Sequence, residues 1–195
     1  MRTVAPSLAL LLLALPAAAA PVPKLKAPPD YYPTEVGTKW VYAQEDGTNE
    51  HTREVTASDT KDGVTTFTVT WKQGGTTQLW ELKKDATGVY RTKEDGVEFV
   101  PPHKLFEHRM AAGDEWTSEY SYGGERNTFK FSRTAGKAEA VKTPAGTYTA
   151  VPIVSRSLEN AQNESTLWYA NGVGLVKLEH KRGATVVLRE FTRGK

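Results

Sequence analysis

From residue 31 onward, apolar and polar positions alternate with a period of two, in short runs cut by turn residues. In VTTFTVTW, 64–71, one face carries Thr65, Phe67, Val69 and Trp71, and the other Val64, Thr66, Thr68 and Thr70. One apolar face and one threonine face predict a half-solvated strand. NTFKFSR, 127–133, repeats the pattern, with Phe129 and Phe131 opposite Thr128, Lys130 and Ser132. TYTAVPIVSR, LVKLEH and TVVLREF read as further strands. Pro152 inside the first of these predicts an edge position or a bulge, because proline donates nothing to a ladder.

Turn signals punctuate these runs: Asp46-Gly47, Asp62-Gly63, Gly74-Gly75, Asp95-Gly96, Gly123-Gly124, Pro144-Ala145-Gly146, Asn171-Gly172 and Arg182-Gly183. Such pairs accept the positive φ angles of tight hairpins. The one helix candidate is PPHKLFEHRM, 101–110, where two prolines precede a run without β-branched residues. Hairpin after hairpin predicts an all-β fold of about ten to twelve strands, an antiparallel, strongly curved sheet forming a half-open barrel.

STLWYANGVGLVKLEH, 165–180, holds a G-x-G at Gly172 and Gly174. A dinucleotide loop would follow a strand, open a helix and carry a third glycine. Here LVKLEH alternates as a strand, and Lys177 stands where that glycine would be. The predicted arrangement is strand, turn, strand, with the glycines serving backbone angles.

Residues 1–20 read as a secretory signal peptide: Arg2, the short apolar run Leu8 to Leu15, then Ala18 to Ala20. Residues 21–30 form a Pro-rich arm, and 31–195 a single β domain. The protein is expected to be exported, periplasmic or extracellular, and soluble. With no cysteine, it is not expected to be a lipoprotein, and it has no disulfide framework or thiolate chemistry. The net charge of +2, without a clustered basic stripe, argues against a nucleic-acid partner. No apolar run reaches membrane-spanning length.

Catalytic motifs do not stand out. His51, His103, His108 and His180 lack the i, i+4 spacing of a zinc helix, and there is no G-x-S-x-G elbow. Carboxylate pairs such as Glu81 with Asp85, or Asp114 with Glu115, mark no cleft above the other acids. The expectation is no metal, no cofactor, no catalytic residue and no enzymatic activity.

The aromatics carry more information. Trp40, Trp71, Trp80, Trp116 and Trp168 all lie in strand-like runs. They either fill the core or line a concave face left open for an apolar ligand. The residues assigned to such a ligand site are Trp40, Tyr42, Phe67, Trp71, Trp80, Phe129, Phe131 and Trp168.

Three segments in order carry a resemblance: YYPTEVGTKWVY (31–42), VKTPAGTYTAVPIV (141–154) and LWYANGVGLVKLE (167–179). Together they resemble a TapB-like, DUF-type bacterial family of exported proteins and lipoproteins. That family's fold is similar to the half-barrel of the lipoprotein carriers LolA and LolB. The resemblance brings no catalytic residues. It implies a binding protein of the cell envelope that holds a hydrophobic ligand or lipidated peptide, with 101–110 as a short lid. Two alternatives stay open: a module binding an envelope protein through a sheet edge, and a cell-wall or polysaccharide hydrolase.

Overall fold

The computed structural model describes residues 29–195 apart from 109, 125 and 161. The signal-peptide assignment and 21–28 of the arm lie outside the described residues. Thirteen strands follow one another: β1 (Lys39–Gln44), β2 (His51–Lys61), β3 (Val64–Gln73), β4 (Thr76–Asp85), β5 (Gly88–Glu94), β6 (Val97–Glu107), β7 (Glu115–Tyr122), β8 (Thr128–Ala135), β9 (Glu139–Thr143), β10 (Gly146–Ser157), β11 (Glu164–Ala170), β12 (Gly174–His180) and β13 (Thr185–Thr192). All their pairings are antiparallel.

The fold is all-β, as expected, but the barrel is closed rather than half-open. The twelve-residue β10 causes the closure. Its Ile153–Ser157 half pairs with β8, while Ala150–Arg156 pairs with β11. The ring then runs from β11 through β12, β13 and β1 to β8 and back to β10. β9 branches off, pairing with the first five residues of β10. Pro152 sits where β10 changes partner between β9 and β8, so its missing N–H interrupts neither ladder.

Turn chemistry sets the registers. Asp62 and Gly63 have φ of 52° and 78°, Gly74 and Gly75 53° and 87°, and Asp95 and Gly96 49° and 80°. Two successive positive φ values give the two-residue hairpin whose twist matches the strands.

The helix expected at 101–110 is absent. Residues 101–107 belong to β6, and no described residue is helical. Pro101 and Pro102 fall in a bulge, between the pairs Lys93–Glu98 and Arg91–His103. There the ladder asks nothing of their nitrogens, and pairing with β5 overrides the weak local preference.

A ring of twelve strands is wider than the eight-stranded barrel that side chains just fill. Large residues therefore do the filling: Trp40, Tyr42, Phe67, Trp80, Phe106, Trp116 and Tyr169 are all buried. The N-terminal segment lies across one end, with Tyr31 edge-on to Phe106, and Tyr32 against Trp40 and Phe67. Asp30 ties it down, donating its N–H to Asn171 Oδ1 and accepting from Gly172 N.

Candidate functional site

Gly172 is the middle residue of the three-residue turn between β11 and β12, and Gly174 opens β12, at φ of 76° and 97°. No helix follows, so this is not a phosphate loop. An added Cβ at Gly174 would stand 3.4 Å from Tyr31 O and 3.6 Å from Trp40 Nε1. Those are ordinary van der Waals distances, so glycine is there for its backbone angle, a φ of 97° that residues with a Cβ rarely adopt. Trp40 donates through Nε1 to Val173 O at 2.6 Å, and Tyr42 through its hydroxyl to Leu175 O at 2.9 Å. β12 pairs with β13 only over Lys177–Glu179, so these two rings satisfy carbonyls on its unpaired half.

Above this floor lies an interior cavity of about 260 Å³. Tyr32, Trp40, Tyr42, Trp80 and Tyr169 form much of its aromatic wall, with Leu105, Ile153, Leu167, Leu175 and Leu178 as the aliphatic part. Ser155, Ser165 and His180 line both the cavity and a surface depression over Phe131, which marks the mouth.

Of the eight assigned aromatics, the structure brings Trp40, Tyr42 and Trp80 to the cavity wall. Phe67 is buried in the core beside Tyr32 but does not line the cavity. Trp71 is half-buried near His51. Phe129 and Phe131 stack on Tyr120 toward the mouth, Phe129 being 38% exposed. Trp168 alternates with Leu167 and Tyr169, which face the cavity, and so points outward. There it donates to Glu139 at 2.6 Å and lies under Lys177.

Three arginines also face this interior, and the aromatic argument missed them. Arg53 on β2, Arg91 on β5 and Arg133 on β8 all line the cavity. The Trp80 indole is held between two of them, with guanidinium carbons 4.9 Å (Arg53) and 4.1 Å (Arg91) from its centroid. Arg53 also lies 4.8 Å from the Tyr42 centroid. Arg91 pairs with Glu94 at 2.8 Å. Arg133 is 7% exposed; it donates to Lys104 O and, at 2.8 Å, to His103 Nε2.

The charges do not balance. Among the described residues Arg91 has one carboxylate, whereas Arg53 and Arg133 make no ion pair. The Nε atoms of Arg53 and Arg91 are buried without a hydrogen-bond partner. Neighbouring groups register the excess. Burial and then the Arg133 and Arg91 charges hold His103 far down, at about 2. It stays neutral and accepts from Arg133. Burial pushes Tyr169 up to about 12 against the opposing pull of Arg133, Arg53 and Arg91. All three guanidinium groups are thus felt at one phenol.

The signal for these arginines was present in the alternation. His51, Arg53 and Val55 share a face, as do Val89 with Arg91, and Phe129, Phe131, Arg133 and Ala135. An arginine on an otherwise apolar face is the informative observation. His180, weighed in the sequence only as a zinc ligand, meets Ser165 instead: Ser165 Oγ lies 2.8 Å from His180 Nδ1 at the mouth. Among the described residues no carboxylate hydrogen-bonds His180, and no group of three His, Cys, Asp or Glu side chains is arranged for a metal.

No family model matches the chain, and no curated protein matches it. Solved structures do. One is a "putative lipoprotein" from Parabacteroides distasonis, 17% identical, covering 86% of this chain and all of its own, with a TM-score of 0.53. Another is a "putative exported protein with YmcC-like fold" from Bacteroides fragilis, 16% identical over 85% of this chain and all of its own, with a TM-score of 0.49. At that identity the likeness to the Parabacteroides structure is one of fold.

Proposed function

We propose that the protein is an exported, non-enzymatic binding protein that holds a small apolar or amphiphilic ligand inside its barrel. The observation that carries this reading is the aromatic- and aliphatic-walled cavity of about 260 Å³, with a polar mouth at Ser155, Ser165 and His180. A mostly apolar enclosure with a few placed polar groups is the usual form of a small-molecule site. Export rests on the leader-like segment 1–20. The absence of cysteine favours a form without a lipid anchor, unlike the protein named a lipoprotein. A cargo as large as a lipidated peptide is disfavoured by the cavity's size.

The sheet-edge alternative loses support from ring closure, which leaves β9 as the strand with a single ladder partner among the described residues. Among the described residues the hydrolase alternative has the Ser165–His180 pair, with no third group hydrogen-bonded to the imidazole.

Native mass spectrometry of the protein from its own host, with N-phenyl-1-naphthylamine uptake measured alongside, tests the reading. A stoichiometric bound mass, or saturable uptake of this neutral dye, is expected. A bare protein that takes up no dye would overturn it.

A further inference from the structure

Resting on the cavity reading, we propose that the ligand is an amphiphile with a compact acidic head, a carboxylate or phosphate monoester. The head is held by Arg53, Arg91 and Arg133, and the apolar part lies against Ile153, Leu167, Leu175 and Leu178. The argument begins with cost. A buried charge is expensive unless it is paired and hydrogen-bonded. Three guanidinium groups line this interior and, among the described residues, no carboxylate does; Glu94, outside the lining, is engaged by Arg91.

Aromatic faces compensate only part of this excess. Trp80 and Tyr42 offer π density to Arg53, and Trp80 to Arg91; a ring face takes up none of the in-plane N–H donors, of which Arg91 spends Nη1 on Glu94. Arg133 uses Nη1 and Nη2 on Lys104 O and His103. Both acceptors are neutral, so its charge stays uncompensated. The Nε donors of Arg53 and Arg91 are buried and unpartnered. Unpartnered donors on converging cations, beside an apolar wall, are what an acidic headgroup completes.

A purely structural role predicts the opposite arrangement. Arginines that only brace a barrel gain most from carboxylates, and this chain spends its acids elsewhere. Lys84–Asp30, Lys104–Glu107, Lys130–Glu119 and Arg156–Glu164 all pair outside the cavity.

The test uses the full chain and four probes with one tail: octanoate, octyl phosphate, octan-1-ol and octylammonium, titrated by calorimetry. One or both anions are expected to bind about tenfold or more tightly than the alcohol, with octylammonium weakest. The better of the two anions identifies the head. Arg53→Met and Arg133→Met are each expected to weaken the anion about tenfold and to leave octan-1-ol binding in place; Arg53→Met should keep or raise the melting temperature, whereas Arg133→Met should lower it, because Lys104 O and His103 lose their donor. Should either variant fail to fold, the four-probe ranking on the unaltered protein still decides. Equal or tighter binding of the alcohol would overturn the acidic head while leaving the apolar cavity standing. Inorganic phosphate is titrated beside them as a tailless control, and binding as tight as that of the better anion would overturn the amphiphile. Failure of all four probes would remove both this proposal and the reading beneath it.

Discussion

The guanidinium carbon of Arg91 lies 4.1 Å from the centroid of Trp80, on a ring that also serves Arg53. The indole thus attracts two like charges at once. Replacing it does more than open a cavity. Trp80→Leu is expected to cost about 3 kcal/mol in denaturant unfolding, and part of that loss should be recovered in Trp80→Leu/Arg53→Met. The expected coupling is about 1 kcal/mol. Strict additivity would show that the ring acts by volume alone.

His103 gives a pH dependence of known sign. Its ring stacks on Tyr120 at 4.1 Å, faces Arg133 and Arg91, and titrates near 2 when folded, against about 6.5 in an unfolded chain. Between those values the unfolded state binds more protons. The stability from neutral His103 is complete above about pH 6.5 and is lost as pH falls toward 2. His103→Gln keeps an acceptor for Arg133 and removes the titration. Between about pH 7 and pH 5, unaltered protein should lose up to about 2 kcal/mol more than the variant. Parallel losses in both would show that the imidazole is already compensated.

The strands and hairpins were legible because each rests on local chemistry. Phe67 and Val69 share a buried face through period two, and Asp62-Gly63 turns because it accepts positive φ. Barrel closure was not legible, since it depends on β10 dividing its two edges among β8, β9 and β11. No local pattern announces that division. Residues 101–107 failed as a helix for a more local reason: the Asp95-Gly96 turn folds them back onto β5, and the ladder, bulged around Pro101 and Pro102, overrides the helix signal of two prolines before an unbranched run. The site was half legible. Trp40, Tyr42 and Trp80 announce themselves by size, whereas Arg53, Arg91 and Arg133 are polar residues whose burial depends on the ring being shut.

Gly174 and Gly63 are two glycines at positive φ, 97° and 78°. A Cβ at Gly63 meets nothing within 4 Å, and one at Gly174 meets Tyr31 O at 3.4 Å and Trp40 Nε1 at 3.6 Å, which are ordinary van der Waals contacts. Backbone conformation therefore sets both costs. Gly63→Ala and Gly174→Ala should each cost about 1–2 kcal/mol in denaturant unfolding, and Gly174→Ala should keep the protection of the Trp40 indole N–H in hydrogen exchange. A much larger loss at Gly174, with the indole deprotected, would show that the added methyl pushes the N-terminal segment off the turn.

Trp168 and Trp40 both lay among the residues assigned to a ligand, and the barrel divides them. Trp40 faces inward and anchors β12 through Val173 O. Trp168 faces outward, on the far side of β11 from Tyr169, where Glu139 and Lys177 hold its ring in partial contact with solvent. An exposed hydrogen bond and an exposed cation–π contact each contribute little. Trp168→Ala should therefore cost about 1 kcal/mol and leave octanoate affinity unchanged. Trp40→Phe should weaken octanoate binding and loosen the floor of the cavity, since it removes the indole donor while keeping an aromatic ring. Loss of binding in Trp168→Ala with binding retained in Trp40→Phe would place the ligand on the outer surface of the sheet, against β9, and not inside the barrel.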